Sequence, residues 1–175
     1  MDDHLAVVVA SRDFQDDEYS AVKERLTASG MIVKNVSTIT EEAIGICGKR
    51  VEIDLAVKSI DQDDFQGLIL IGGSGVRSLL NDGDLIDLIR RFNEKGKVIG
   101  AICWAPEILA RAGILKNRKV TVWEGAVEAL KQSGAIVTKE GVQQDGNLIT
   151  ASGLAYANRF VETIIQSIVK KNKPL

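Results

Sequence analysis

Histidine is almost missing from this chain: His4 stands alone, beside two cysteines, Cys47 and Cys103, and two prolines. Two thiols and one imidazole cannot complete the four ligands of a zinc site without carboxylates, so no metal is expected. Two cysteines far apart in sequence make no disulfide framework and read as reduced thiols in a cytosol. Charge of one sign is also lacking. A formal net charge of −2 gives no electrostatic case for nucleic acid or an anionic membrane, and the short basic stretch Lys170–Lys173 reads as the solvated end of a terminal helix. No apolar run approaches the roughly 20 residues needed to cross a bilayer. The opening Met1-Asp2-Asp3-His4 is acidic and runs straight into apolar Leu5–Ala10, with neither a basic region nor a long apolar one. No export signal is expected, and a cytoplasmic location is.

What is present describes an ordinary globular protein. The 45% hydrophobic and 26% charged shares fit neither disorder nor a fibre, and residues 1–175 suit one domain with one core. Leu5–Ala10, Ile32–Val36, Gly67–Ile71 and Val98–Ile102 are short apolar or β-branched runs that predict strands. Asp16–Ser29, with Tyr19, Val22 and Leu26 at helical spacing before Gly30, and Asp84–Lys95, with Leu85, Leu88, Ile89 and Phe92 before Gly96, predict crossover helices. This alternation points to an α/β fold. Between Ala43 and Val57, two apolar-alternating pieces flank Gly48-Lys49-Arg50 and predict a hairpin appended to the sheet, with Cys47 at its turn. Further on come helix Trp104–Ala112, strand Lys119–Val122, helix Glu124–Ser133, a hairpin closed by Asp145-Gly146-Asn147, and a terminal helix from about Ala155 to Lys171. No repeat or linker divides the chain.

The chemistry concentrates at Cys103. An apolar strand ends there and a helix follows, with Pro106 suited to its first turn. A thiolate on such an elbow would face unpaired N–H groups and a positive helix end, which favour the charged form. The Gly-x-Ser-x-Gly pattern of α/β-hydrolases is absent, with Ala105 at the second glycine. The alternative is a small buried residue at a tight junction, and the local pattern leaves both open.

Ile71-Gly72-Gly73-Ser74-Gly75 follows another strand and leads into a short helix, Val76–Leu80. Its N–H groups could cradle an anion or an oxyanion. It lacks the Gly-Lys-Ser/Thr ending of a P-loop, and Ser11-Arg12-Asp13 after the first strand is no dinucleotide fingerprint, so nucleotide binding is set aside. In a parallel sheet the strand ends lie on one edge, which lets Glu18 approach Cys103. Two ionised groups there would repel, so a raised Glu18 pKa with a protonated carboxyl is the consistent arrangement. The other reading of Glu18 is a solvated acid at a helix start. His4 begins the first strand and should lie on the wrong edge, leaving no Cys–His dyad within one chain.

Taken together, Asp-Asp-Glu18-Tyr, Phe65-Gln-Gly-Leu-Ile-Leu-Ile-Gly-Gly73, Ala101-Ile-Cys103-x-x-Pro106, Ala112-Gly-Ile-Leu-Lys-x-Arg-Lys-Val-Thr121 and Asp145-Gly-Asn-Leu-Ile-Thr150 resemble the DJ/PfpI family of the class I glutamine amidotransferase-like superfamily, over most of the chain. The resemblance implies a flavodoxin-like three-layer sandwich. It implies a nucleophilic Cys103, a carboxylic-acid partner in Glu18, and an oxyanion hole from the backbone N–H groups of Gly73 and Trp104. It also implies no metal or organic cofactor, and a homodimer or an assembly of dimers.

Family members include glyoxalases or deglycases acting on α-oxoaldehydes and their adducts, intracellular proteases, and oxidative-stress sensors. The resemblance therefore implies, if the chain is an enzyme, a cofactor-independent cysteine hydrolase or lyase acting on a small-molecule carbonyl substrate. A redox sensor working through Cys103 oxidation and a silent scaffold are the alternatives. The protease branch carries His directly after its nucleophile, where this chain has Trp104. An indole is no general base near neutral pH, which makes peptide hydrolysis doubtful. Trp104 would instead cover the thiol or pack against a neighbour.

Overall fold

The computed structural model describes residues 4–172. The chain runs through β1 (His4–Val8), β2 (Arg12–Phe14), α1 (Asp16–Ala28), β3 (Ile32–Ser37), β4 (Glu42–Gly45), β5 (Arg50–Glu52), β6 (Leu55–Ala56) and β7 (Gly67–Leu70). It continues through α2 (Val76–Leu79), α3 (Gly83–Glu94), β8 (Val98–Ile102), α4 (Pro106–Arg111), β9 (Lys119–Val120) and α5 (Val127–Gln132). The last elements are β10 (Ile136–Val137), β11 (Val142–Asp145), β12 (Leu148–Ala151) and α6 (Ala157–Asn172).

Seven strands form the central sheet in the order β11-β12-β8-β7-β1-β3-β6, and every neighbouring pair is parallel except β11 with β12. The period-2 geometry of a strand sends alternate side chains to opposite faces, and a sheet covered on both sides must be apolar on both. In β1 and just beyond it, Leu5, Val7 and Val9 join one core with Tyr19, Val22 and Leu26 of α1 and Phe160, Val161 and Ile164 of α6. Ala6, Val8 and Ala10 join the opposite core with Leu85, Leu88, Ile89 and Phe92 of α3 and with residues of α4 and α5. This is the expected flavodoxin-like sandwich. Gly100 lets α6 sit close, because a Cβ there would lie 2.9 Å from Ile164 Cδ1 and 3.0 Å from Phe160 Cζ. Among the described residues no helix is long and apolar enough to cross a membrane.

Helix ends follow local chemistry. Asp82 caps α3 by accepting from Leu85 N at 2.8 Å. The three acids Asp16, Asp17 and Glu18 fill the first turn of α1, where the helix dipole favours negative charge.

The hairpin around Cys47 is present but shorter than expected. Its arms are β4 and β5, and β2 joins β4 in parallel to make a separate three-stranded sheet. Leu55 and Ala56 leave the hairpin and add β6 to the edge of the central sheet beside β3. Asn35 draws them there: its N–H donates to Asp54 Oδ2 at 2.7 Å, and its carbonyl accepts from Asp54 N at 2.9 Å. Three other boundaries also shift. The expected helix from Trp104 starts only at Pro106, after a turn closed by Ala105 N donating to Ile102 O. The helix expected from Glu124 opens with a 3₁₀ turn over Glu124–Ala126. The strand expected through Val122 ends at Val120, because Thr121 N turns to donate to the Thr150 hydroxyl at 2.9 Å.

Candidate active site

Three loops converge at the C-terminal edge of the sheet, where the chain passes from the β1–β3 side to the β7–β8 side. Such a switch point opens a crevice above the strands. The loop after β1 leads to Glu18, the loop after β7 carries Gly72 and Gly73, and the loop after β8 is Cys103 itself.

Cys103 adopts a left-handed backbone, φ 61°, directly after the last residue of β8. For a residue with a Cβ this conformation costs on the order of 1–3 kcal/mol and persists only where its surroundings hold it. Here the Cys103 N–H donates to Ala151 O at 2.8 Å, and the Cys103 carbonyl accepts from Trp123 N at 2.9 Å. The strand-to-helix elbow expected from the sequence is present as backbone geometry.

The glycine loop is laced to the loop after β1. Gln15 N donates to Gly72 O at 2.9 Å and Gly75 N to Asp13 O at 3.0 Å. Gly73 is left-handed, φ 111°, and a Cβ on it would lie 2.5 Å from Asp13 O. The N–H groups of Gly73 and Trp104 both bear on the Cys103 sulfur and lower its pKa.

Glu18 is not a solvated acid. It is 2% exposed, and its Oε2 has no partner of ordinary hydrogen-bond geometry among the described residues. Burial raises its pKa to about 7, against the smaller lowering effects of the Cys103 thiol and the Gly72 N–H. Burial also pushes Cys103 up to about 12, and the charge and hydrogen bond of Glu18 push the same way, outweighing the N–H groups of Trp104 and Gly73. The N–H groups alone therefore do not hold a free thiolate, as the strand-to-helix elbow had suggested. Cys103 and Glu18 titrate as a pair whose single-proton state can be carboxylate with thiol or carboxylic acid with thiolate.

Trp104 packs against the core on the opposite face of the sheet from the one that Cys103 joins. Its Nε1 donates to Glu107 Oε2 at 2.6 Å, and its ring lies 5.2 Å from that of Trp123. His4, at the start of β1, packs beside Phe65 with ring centroids 6.2 Å apart, away from the converging loops. Cys47 is exposed at the β4–β5 turn, where its N–H donates to Asp16 Oδ2 at 2.9 Å.

Sequence reasoning passed over Gly72 as an individual position. A Cβ there would lie 2.7 Å from both Cys103 Cβ and Glu18 Oε2, so this glycine sets how close acid and thiol come. The Gly-Gly pair was its only signal.

A profile of the DJ-1/PfpI family matches residues 4–167. The chain belongs to the DJ-1/PfpI family. Protein MJ0967 of Methanocaldococcus jannaschii is 38% identical over 172 residues, covering 97% of this chain and 84% of that one. A Thermococcus kodakarensis protein named Deglycase TK1284 is 30% identical over 148 residues, covering 84% of this chain and 89% of its own. Among solved structures, the ThiJ/PfpI domain protein of Brachyspira murdochii superposes with a TM-score of 0.94 at 26% identity, covering 97% of this chain and 98% of that one. Drosophila melanogaster DJ-1beta shares the fold, with a TM-score of 0.84 at 23% identity over 98% of this chain and 97% of that one.

Proposed function

We propose that the protein is a cofactor-independent cysteine enzyme acting on small α-oxoaldehydes or their adducts, with Cys103 as nucleophile and Glu18 as proton carrier. The observation that carries this reading is a buried carboxyl, with a pKa of about 7, beside a thiol on a left-handed elbow. A group titrating near the working pH is suited to accept and return a proton. Similarity to proteins named deglycases agrees with this substrate class.

With methylglyoxal, the sulfur adds to the aldehyde carbon, and the thiol proton ends on the carbonyl oxygen to give a hemithioacetal. Glu18 removes the proton from that carbon and returns it to the neighbouring carbon. The aldehyde carbon is thereby oxidised to a thioester as the ketone is reduced to an alcohol. Water then cleaves the thioester, releasing lactate and the thiol. Covalent capture divides one hard step into easier ones, while the Gly73 and Trp104 N–H groups stabilise the developing oxyanion.

Consumption of methylglyoxal with stoichiometric lactate, lost in Cys103→Ser, is the expected result. Equal consumption by Cys103→Ser overturns the proposal.

The N–H groups directed at the sulfur also favour a second reading, peroxide sensing, because they could hold the oxygens of a sulfinate. It requires dilute peroxide to oxidise Cys103 while exposed Cys47 stays reduced. Equal oxidation of the two counts against it.

A further inference from the structure

The two N–H groups that hydrogen-bond the Cys103 sulfur, those of Gly73 and Trp104, belong to peptide groups whose other ends are held alike. The N–H of Gly73 shares its peptide plane with the carbonyl of Gly72, and that carbonyl accepts from Gln15 N at 2.9 Å. The N–H of Trp104 shares its plane with the carbonyl of Cys103, which accepts from Trp123 N at 2.9 Å. No peptide bond among the described residues is cis, and in a planar trans peptide the N–H and C=O point in opposite directions. Fixing each carbonyl from behind therefore aims the N–H in front of it at the sulfur.

Both planes adjoin a left-handed residue, Gly73 at φ 111° and Cys103 at φ 61°, and at Cys103 such a backbone persists only where its surroundings hold it. At Gly73 the space is also taken: a Cβ there would lie 2.6 Å from Gln15 N, the clamping donor itself. The two clamps come from separate parts of the chain, Gln15 from between β2 and α1 and Trp123 from between β9 and α5. Gln15 is also the N-cap of the helix that carries Glu18, so one residue joins the donor to the acid. The second clamp uses only the backbone of Trp104 and Trp123; the Trp104 ring itself clusters with Trp123 and the Arg77 guanidinium.

We propose that Gln15 and Trp123 are positioning residues: by holding the Gly72 and Cys103 carbonyls, their backbone N–H groups preorganise the two donors that receive the oxyanion formed when the Cys103 sulfur adds to a carbonyl carbon. In that addition the S–C bond forms, the C=O π pair moves onto oxygen, and the thiol proton follows it. Donors fixed before the reaction need no reorganisation as the charge develops. Neither Gln15 nor Trp123 touches the substrate; each acts through the peptide group in front of it. This inference rests on the nucleophilic role of Cys103 toward carbonyl compounds and names what aims its oxyanion donors.

The test compares two reactions of Cys103 in the full chain. Addition to methylglyoxal develops an oxyanion, whereas alkylation by iodoacetamide displaces iodide and develops none. Thiolate population enters both, so the ratio of methylglyoxal kcat/KM to the iodoacetamide rate constant at Cys103, read by peptide mass spectrometry, isolates the donors. Gln15→Pro removes the N–H at a φ of −78° that proline adopts. An ester in place of the Phe14–Gln15 amide removes it without added bulk, at the cost of a weaker Phe14 carbonyl for Ile46 N. In both variants the ratio is expected to fall about tenfold, through kcat with KM little changed, against the roughly 10²–10³ lost when such a donor is deleted outright. An ester at Val122–Trp123 carries the same expectation for the second clamp, and Gln15→Ala, which keeps the N–H, should hold the native ratio. An unchanged ratio in either folded ester variant overturns the role of that residue and leaves the nucleophile and its substrate class standing. A native chain that consumes no methylglyoxal overturns both. Circular dichroism and Cys47 labelling report folding, and unfolding of Gln15→Pro and both esters would assign these bonds to stability and overturn the positioning role.

Discussion

Glu18 and Cys103 meet over a single glycine: a Cβ on Gly72 would stand 2.7 Å from Glu18 Oε2 and 2.7 Å from Cys103 Cβ. The two side chains come from the helix after β1 and the elbow after β8, yet the gap between them is fixed by the loop after β7.

Gly72→Ala is therefore expected to part the pair. The added methyl also meets Ile102 O, a backbone atom, at 2.9 Å, so side-chain rotation alone cannot relieve the clash. Overpacking of this kind costs roughly 1–3 kcal/mol. Urea denaturation should show that loss, and methylglyoxal consumption should fall further than the loss of folded protein explains.

The raised Glu18 pKa makes stability depend on pH. Its folded value of about 7 lies above the ordinary 4.5, so between these values the folded state binds more protons than the unfolded one. The stabilisation is complete below about 4.5 and is lost as pH rises through about 7. Replacing Glu18 with Gln removes this dependence. The variant should gain on the native protein across that window by on the order of 3 kcal/mol, whatever constant offset its packing adds. Denaturation midpoints at pH 4.5 and 7.5 check the change, and a parallel pH response in both proteins would refute it.

Asp16 illustrates the opposite sign. Burial raises its pKa, but the N–H groups of Cys47 and Lys49, at 2.9 and 2.8 Å, outweigh that effect and hold it below 3.8. Its contribution is present above the ordinary aspartate value and is lost as pH falls through the lowered one. Asp16→Ala should release the β4–β5 turn at a cost of about 1 kcal/mol, the low end for N–H groups that water can reach. Amide hydrogen exchange should accelerate at Cys47 and Lys49, with little change at Val98–Ile102 in the central sheet.

The central strands were legible because burial on both faces demands continuous apolar runs, as in Leu5–Ala10 and Val98–Ile102. The elbow was legible because an apolar strand ending at a cysteine three residues before a proline restricts what can follow. The burial of Glu18 was not legible, since three consecutive acids at a helix start look alike until the glycine loop closes over one of them. Nor was β6, whose two residues join the sheet through Asn35 and Asp54, a contact between segments that no periodicity records. The Arg77–Trp104–Trp123 cluster brings three separate loops and helices together and leaves no trace in local spacing.

The coupling of Cys103 to Glu18 is tested most directly by the pH dependence of iodoacetamide labelling at Cys103, resolved from Cys47, in the native chain and in Glu18→Ala. The pair should show a small first step in reactivity near 7, where it loses one proton and a minor acid–thiolate fraction forms beside the predominant carboxylate–thiol state, and the main rise toward 12. Glu18→Ala should lose the step near 7 and show a single transition below 12, because the neighbouring negative charge is gone. One transition at the same pH in both proteins would contradict the account.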